Sequence, residues 1–212
     1  MLTYPIGNLH VNDLRRWLPR HASKAPPART MDELVGVCIH NVGPPVHREF
    51  TSAELAGYHI SHHDWPRIAY SFVVHMDGAI DYTLDWPEVG YHAGGRNNYE
   101  YLGVCVTGWF DDERVPTSAQ LAATRELIAN LSYAFGRQLT VKAHKEIALP
   151  GYATACPGAT WEQWKGALVA PSPAAPVSPT GETTVQSELE QLRAEVVSLR
   201  ARLNQIADLA RL

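Results

Sequence analysis

A histidine and a cysteine twelve residues apart, in His144-Lys-Glu-Ile-Ala-Leu-Pro-Gly-Tyr-Ala-Thr154-Ala-Cys156-Pro157-Gly158, constrain this chain more than any other stretch. Imidazole and thiolate are the side chains that hold Zn²⁺ best, and the Pro-Gly turn after Cys156 places its thiol in a loop rather than in an apolar repeat. Two ligands do not make a site. A third has to come from elsewhere, and the candidate ends an apolar run far upstream, Leu34-Val-Gly-Val-Cys-Ile-His40. The expected set is His40, His144 and Cys156 around zinc with one open position, the arrangement of a catalytic rather than a structural metal.

Around that stretch the periodicities describe an α/β domain. Leu34–Val42 has strand length and is apolar throughout, which suits a central strand buried on both faces. Thr51-Ser-Ala-Glu54 has capping-box spacing and predicts a helix to about His62. Ala69–Met76 and Ala79–Leu84 flank Asp77-Gly78, a hairpin signal. Residues 85–100 read as a loop and 101–109 as a strand. A second capping box, Thr117-Ser-Ala-Gln120, opens a helix that stops at Gly136; Leu139–Ala143 is a strand, and a last helix starts at Thr160. The order β-α-ββ-β-α-β-α predicts a mixed central β-sheet flanked by helices, within a domain of residues 1–169. Residues 1–33 read as a surface arm with a helical patch over 12–18.

Residues 170–184 are Pro-rich and predict a linker. Beyond them Leu189, Leu192, Val196, Leu199, Leu203 and Ile206 fall on heptad a and d positions, with Glu188–Arg193 and Glu195–Arg200 as opposite-charge pairs. Residues 185–212 therefore read as a coiled-coil helix, and 185–210 as a route to a homo-oligomer. An amphipathic helix folding back on its own domain fits the same pattern.

Composition removes several classes. A net charge of −4 leaves no footprint for nucleic acid or an anionic membrane, and no apolar run reaches the roughly 18 residues of a span. The opening residues lack a basic segment and an apolar core, so the expectation is a protein kept in the cytoplasm until something releases it. Three cysteines argue against a disulfide framework; Cys38 and Cys105 read as buried hydrophobes, bridged only if their strands are neighbours. Most of the ten histidines have to be ordinary. His59, His62 and His63 read as surface or supporting residues, His75 as exposed beside its turn, and His10, His21 and His47 carry no context. Trp65 and Trp109 are candidates for contact with sugar rings.

In chain order, His40 ends a strand, and Tyr70 sits on an aromatic strand before Asp77-Gly78. Tyr91-His92-Ala93-Gly94-Gly-Arg-Asn-Asn98 leads into Leu102-Gly103-Val104, and His144…Thr154-Ala-Cys156-Pro-Gly closes the set. Together these resemble the zinc-dependent N-acetylmuramoyl-L-alanine amidases, the family of phage lysozyme-type amidases and peptidoglycan recognition proteins, over about residues 10–168. The resemblance implies that His40, His144 and Cys156 bind Zn²⁺, that Tyr70 beside the metal and Thr154, two before the Cys, are catalytic, and that His92 and Asn98 line the substrate groove. It implies a partner, bacterial peptidoglycan, and a hydrolase cutting between N-acetylmuramic acid and L-alanine, in the manner of a phage-type endolysin. A non-catalytic peptidoglycan-recognition module is the alternative. Two departures stand out: Tyr70 is followed by Ser71 where the family often has His, and His40-Asn41-Val42 replaces the common His-His-Thr.

Overall fold

A computed structural model describes residues 9–43 and 48–169. The linker, the heptad segment and His47 lie outside the described residues.

Six strands form one sheet: β1 (Asn12–Asp13), β2 (Gly36–Asn41), β3 (Phe72–Val74), β4 (Ile80–Tyr82), β5 (Tyr101–Val106) and β6 (Thr140–Ala143), in the spatial order β1-β4-β3-β5-β2-β6. β3 and β4 are the antiparallel hairpin that Asp77-Gly78 announces, while β3–β5, β5–β2 and β2–β6 pair in parallel. The helices are α1 (Ser52–His63), α2 (Asn97–Glu100), α3 (Ser118–Ala134), α4 (His144–Ile147) and α5 (Trp161–Leu168). This is the expected mixed sheet with flanking helices.

Every residue of β2 is buried, because both faces of the sheet are covered. Its period of two sends Val37 and Ile39 to one face, where they pack with Leu127, Ile128 and Leu131 of α3 and Trp161, Trp164 and Leu168 of α5. Cys38 and His40 point the other way. That face is closed by Leu55 and Ala56 of α1 against Val73 and Cys105. Burying each of these large apolar side chains contributes about 1.5–3 kcal/mol. Gly36 lets β6 approach: a Cβ there would stand 2.2 Å from the carbonyl oxygen of Thr140. Cys38 and Cys105 lie on neighbouring strands, yet all three cysteines are free thiols.

Both capping boxes are formed, Thr51 with Glu54 and Thr117 with Gln120. Thr160 makes no side-chain cap: its hydroxyl donates to the Arg114 carbonyl at 2.6 Å, with the Phe110 carbonyl 3.1 Å away.

Three expectations need correction. The patch over 12–18 is a short strand and one helical turn, because the Asn12 and Asp13 backbone pairs with Asp81 and Tyr82 on the β4 edge. Leu18 is buried there while Trp17 is 82% exposed. The loop over 85–100 contains α2. His75 is half-buried rather than exposed: its Nε2 lies 2.9 Å from Asp81 Oδ2 and its Nδ1 3.1 Å from Glu49 Oε1.

The Asp81 hydrogen bond outweighs burial and raises the His75 pKa. Burial would raise Asp81, but hydrogen bonds from His75, Ser52 and Asn12 hold it below its ordinary value. His75 thus adds stability that is full below about pH 6.5 and is lost as pH rises through the raised value. Asp81 adds stability that is full above about pH 4 and is lost as pH falls through the lowered one. Burial lowers the pKa of His40, His59, His92 and His144, so overall stability falls as pH drops below about 6.5 and the His75 contribution is read as a difference. In chemical denaturation the gap between wild type and His75→Gln should be largest below about pH 6.5 and shrink as pH rises through the raised value, and a pH-independent gap would remove His75 as its source.

Candidate metal centre and its cavity

Strand alternation turns His40 onto the α1 face, where it is 1% exposed. The register of β2 with β6 pairs Ile39 with Ala143, so the next residues in line are His40 and His144. Their rings lie 4.7 Å apart. Cys156 returns on the following loop, held by the Lys145 N–H donating to the Cys156 carbonyl at 2.8 Å and by Lys145 Nζ on the Gly158 carbonyl at 2.8 Å. The three expected ligands meet: the donor atoms of His40, His144 and Cys156 all lie within 4.8 Å of one another.

A second trio, Cys38, His40 and His92, meets the same criterion. Distances separate the two. Zinc bonds of ordinary length at tetrahedral angles put an imidazole nitrogen and a thiolate sulfur about 3.5 Å apart, and two imidazole nitrogens about 3.3 Å apart. Cys156 Sγ and His40 Nδ1 are 3.6 Å apart, which fits the edge of such a site. His40 Nε2 and His92 Nδ1 are 2.9 Å apart, too close for that edge and right for an N–H···N hydrogen bond. The metal-competent set is therefore His40, His144 and Cys156.

Their electrostatics agree. Burial holds His40 well below its ordinary pKa, with nearby His92 and His144 adding to it, and burial lowers His144. Both are neutral near pH 7, as ligands must be. Burial pushes the Cys156 thiol up to about 12, against the Asn41 N–H that donates to its sulfur at 3.4 Å. A thiol that holds its proton this firmly becomes a thiolate when a cation takes the proton's place, so the donor set suits a divalent metal.

The set borders a cavity of about 720 Å³ lined also by Tyr58, His59, Trp65 and Tyr70. A second of about 620 Å³ shares Trp65, His92 and His144 and adds Asn98, Leu149 and Tyr152. Tyr70 stands beside the ligands, its ring 5.2 Å from that of His40, and burial keeps its phenol protonated. Thr154 accepts the Cys156 N–H at 3.2 Å, a bond that uses the hydroxyl oxygen's lone pair and not its hydrogen. Neither departure from the family pattern removes a ligand: Ser71 is buried just before β3, and Asn41 contributes its backbone N–H.

His92 and Asn98 both border a cavity while making hydrogen bonds within the protein. Asn98 Oδ1 accepts the N–H groups of His92, Ala93 and Gly94 at 3.0, 2.7 and 3.0 Å. His92 is 7% exposed and bonded at both ring nitrogens. Trp65 lines both cavities, whereas Trp109 is half-buried after β5.

Of two further neighbours, the sequence reading placed one only as surface or supporting and missed the other. His59 is buried under Tyr70, its Nδ1 accepting the Ala69 N–H, and α1 buries Ser52, Leu55, Ala56 and His59 on one face, a spacing that separates it from its exposed neighbours. Arg29 is buried behind the site, donating to the carbonyls of Tyr99, Tyr101 and Glu88, and nothing in its Pro-rich context signals that.

Comparison with known proteins decides the relationship. A family model described as N-acetylmuramoyl-L-alanine amidase matches residues 20–159, well over half of the chain. The chain belongs to the N-acetylmuramoyl-L-alanine amidase family. Human N-acetylmuramoyl-L-alanine amidase is 30% identical over 131 residues, covering 57% of this chain and 22% of that protein. Peptidoglycan-recognition protein SC2 of Drosophila melanogaster is 28% identical over 123 residues, and the match spans 52% of this chain and 62% of that relative. The chain thus spans less than two thirds of the length of these curated relatives. Among solved structures, the endolysin amidase LysCS from Clostridium intestinale shares the fold with a TM-score of 0.59 at 22% identity, over 75% of this chain and 95% of that one. Peptidoglycan recognition protein-LE, solved with tracheal cytotoxin, a monomeric diaminopimelic acid-type peptidoglycan, has a TM-score of 0.59 at 24% identity, over 70% and 87%.

Asn98→Ala leaves three loop amides without their acceptor, at a cost of about 1–3 kcal/mol for each group that stays buried. Hydrogen exchange at His92, Ala93 and Gly94 should accelerate while that of β5 stays slow. Unchanged loop protection would show that another acceptor serves.

Proposed function

We propose that this chain is a zinc-dependent amidase that hydrolyses the amide between the lactyl group of N-acetylmuramic acid and the L-alanine of the peptidoglycan stem peptide. One observation carries the reading: two neutral imidazoles and a thiol, with a nitrogen–sulfur separation of 3.6 Å, border an open cavity. Zinc, when bound, supplies a water of lowered pKa and a Lewis acid for the amide carbonyl. The chain's own residues do the rest. Tyr70, protonated and beside the ligands, donates its O–H to the oxygen on which negative charge develops. The Thr154 hydroxyl hydrogen is the second donor of this reading. The walls of the two cavities hold the glycan and the peptide on either side of the metal.

Mass spectrometry of sacculi digested by the zinc-loaded protein, with a chelated control, tests this. The expected product is a new free L-alanine amine, formed only with metal. Tyr70→Phe should keep its zinc and lose about 10²-fold in kcat, the usual scale for one oxyanion donor. Sacculi that stay uncut with the protein bound would favour a recognition module, the role named for several relatives.

For the setting we propose a phage-type endolysin whose residues 185–210 self-associate, so that linked domains hold a polymeric wall with avidity. Analytical ultracentrifugation of the full chain against one ending at residue 169 reads the assembly. Two monomers would sink it.

A further inference from the structure

We infer that His92 is a positioning residue that selects the tautomer of His40, so that Nδ1 of His40 is the nitrogen presented to the metal. The inference rests on the metal reading above and extends it to a residue outside the three proposed ligands.

The assignment follows from three linked contacts. His92 Nε2 lies 3.0 Å from the Tyr101 carbonyl oxygen. A carbonyl only accepts, so Nε2 carries the hydrogen. His92 is buried, and the Arg29 guanidinium donates to the same Tyr101 carbonyl at 2.8 Å, an arrangement that leaves room for one cation on that carbonyl and not two. Its Nδ1 is then a bare lone pair. That lone pair faces His40 Nε2 at 2.9 Å, and a hydrogen bond on this line requires the hydrogen on His40 Nε2. A neutral His40 with its hydrogen on Nε2 has a bare Nδ1, the atom 3.6 Å from Cys156 Sγ. Reversing any link would put a hydrogen on the nitrogen that has to bind metal.

The surroundings fix the ring that makes this selection. The His92 and His40 rings stand nearly perpendicular, at 86°, with centroids 5.0 Å apart. Gly103 of β5 lies beneath: a Cβ there would sit 3.0 Å from His92 Cγ. Asn98 holds the His92 backbone. Ligand-orienting hydrogen bonds of this kind typically change metal affinity by about 10–100-fold.

The test uses the full chain loaded with zinc. Nitrogen-15 NMR of labelled histidines should show His40 and His92 each with hydrogen on Nε2, and His40 bound through Nδ1. Hydrogen on His40 Nδ1 would overturn the inference, and that measurement needs no variant. Chelator competition should then give His92→Ala a zinc Kd about 10–100-fold weaker than wild type. His92→Asn, whose side-chain oxygen can accept from His40, should recover most of that loss. Circular dichroism of the metal-free proteins shows which variants fold, and the wild-type spectrum decides if His92→Ala does not. Wild-type protein that takes up no zinc would fail the metal reading itself. Zinc uptake with equal affinity in all three proteins would fail only the tautomer selection by His92.

Discussion

The parallel register between β2 and β6 is the constraint on which the site depends. It sets Ile39 opposite Ala143 and so aligns His40 with His144, two residues far apart in sequence. Neighbouring strands are about 4.8 Å apart, the scale on which two imidazoles can share one ion. Gly36 permits that register, since a side chain there would collide with Thr140. A slip of one residue would carry His40 into the apolar core packed by α3 and α5 and leave the thiol of Cys156 without its partner.

Around this alignment, desolvation does the chemical tuning. The sheet and α1 bury His40, which keeps it neutral. Burial likewise makes the Cys156 thiol a poor acid and raises the pKa of the Tyr70 phenol. A site built this way gains most from a cation, which relieves the thiolate's lack of solvation while the imidazoles stay uncharged. It also keeps the Tyr70 hydrogen available near neutral pH. Asp81 is buried too, yet hydrogen bonds from His75, Ser52 and Asn12 together outweigh its desolvation and hold its pKa down, so the His75 contact bears on stability.

Much of this was legible in the chain. Unbroken apolarity over Leu34–Val42 marked the central strand because a strand covered on both faces has no polar side to show. Thr51 with Glu54 and Thr117 with Gln120 marked two helix starts because the capping bonds are local. The donor types at 40, 144 and 156 marked a metal set because imidazole and thiolate have few other reasons to recur in that order. Less legible were the short elements. The 12–18 patch took its form from the β4 edge, and α2 from the loop that Asn98 organises; neither depends on its own residues alone.

The sequence by itself determined the α/β class and the faces of the long elements and named three candidate donors, since side-chain period and chemistry are properties of contiguous residues. The tertiary structure decided which nitrogen of His40 faces Cys156, that His92 and Asn98 brace the site, and that His59 and Arg29 lie beside it. Those outcomes depend on strand register and on burial among residues distant in the chain. A hydrogen bond 2.9 Å long between His40 and His92 exists only once β2, β5 and the loop before β5 have packed together.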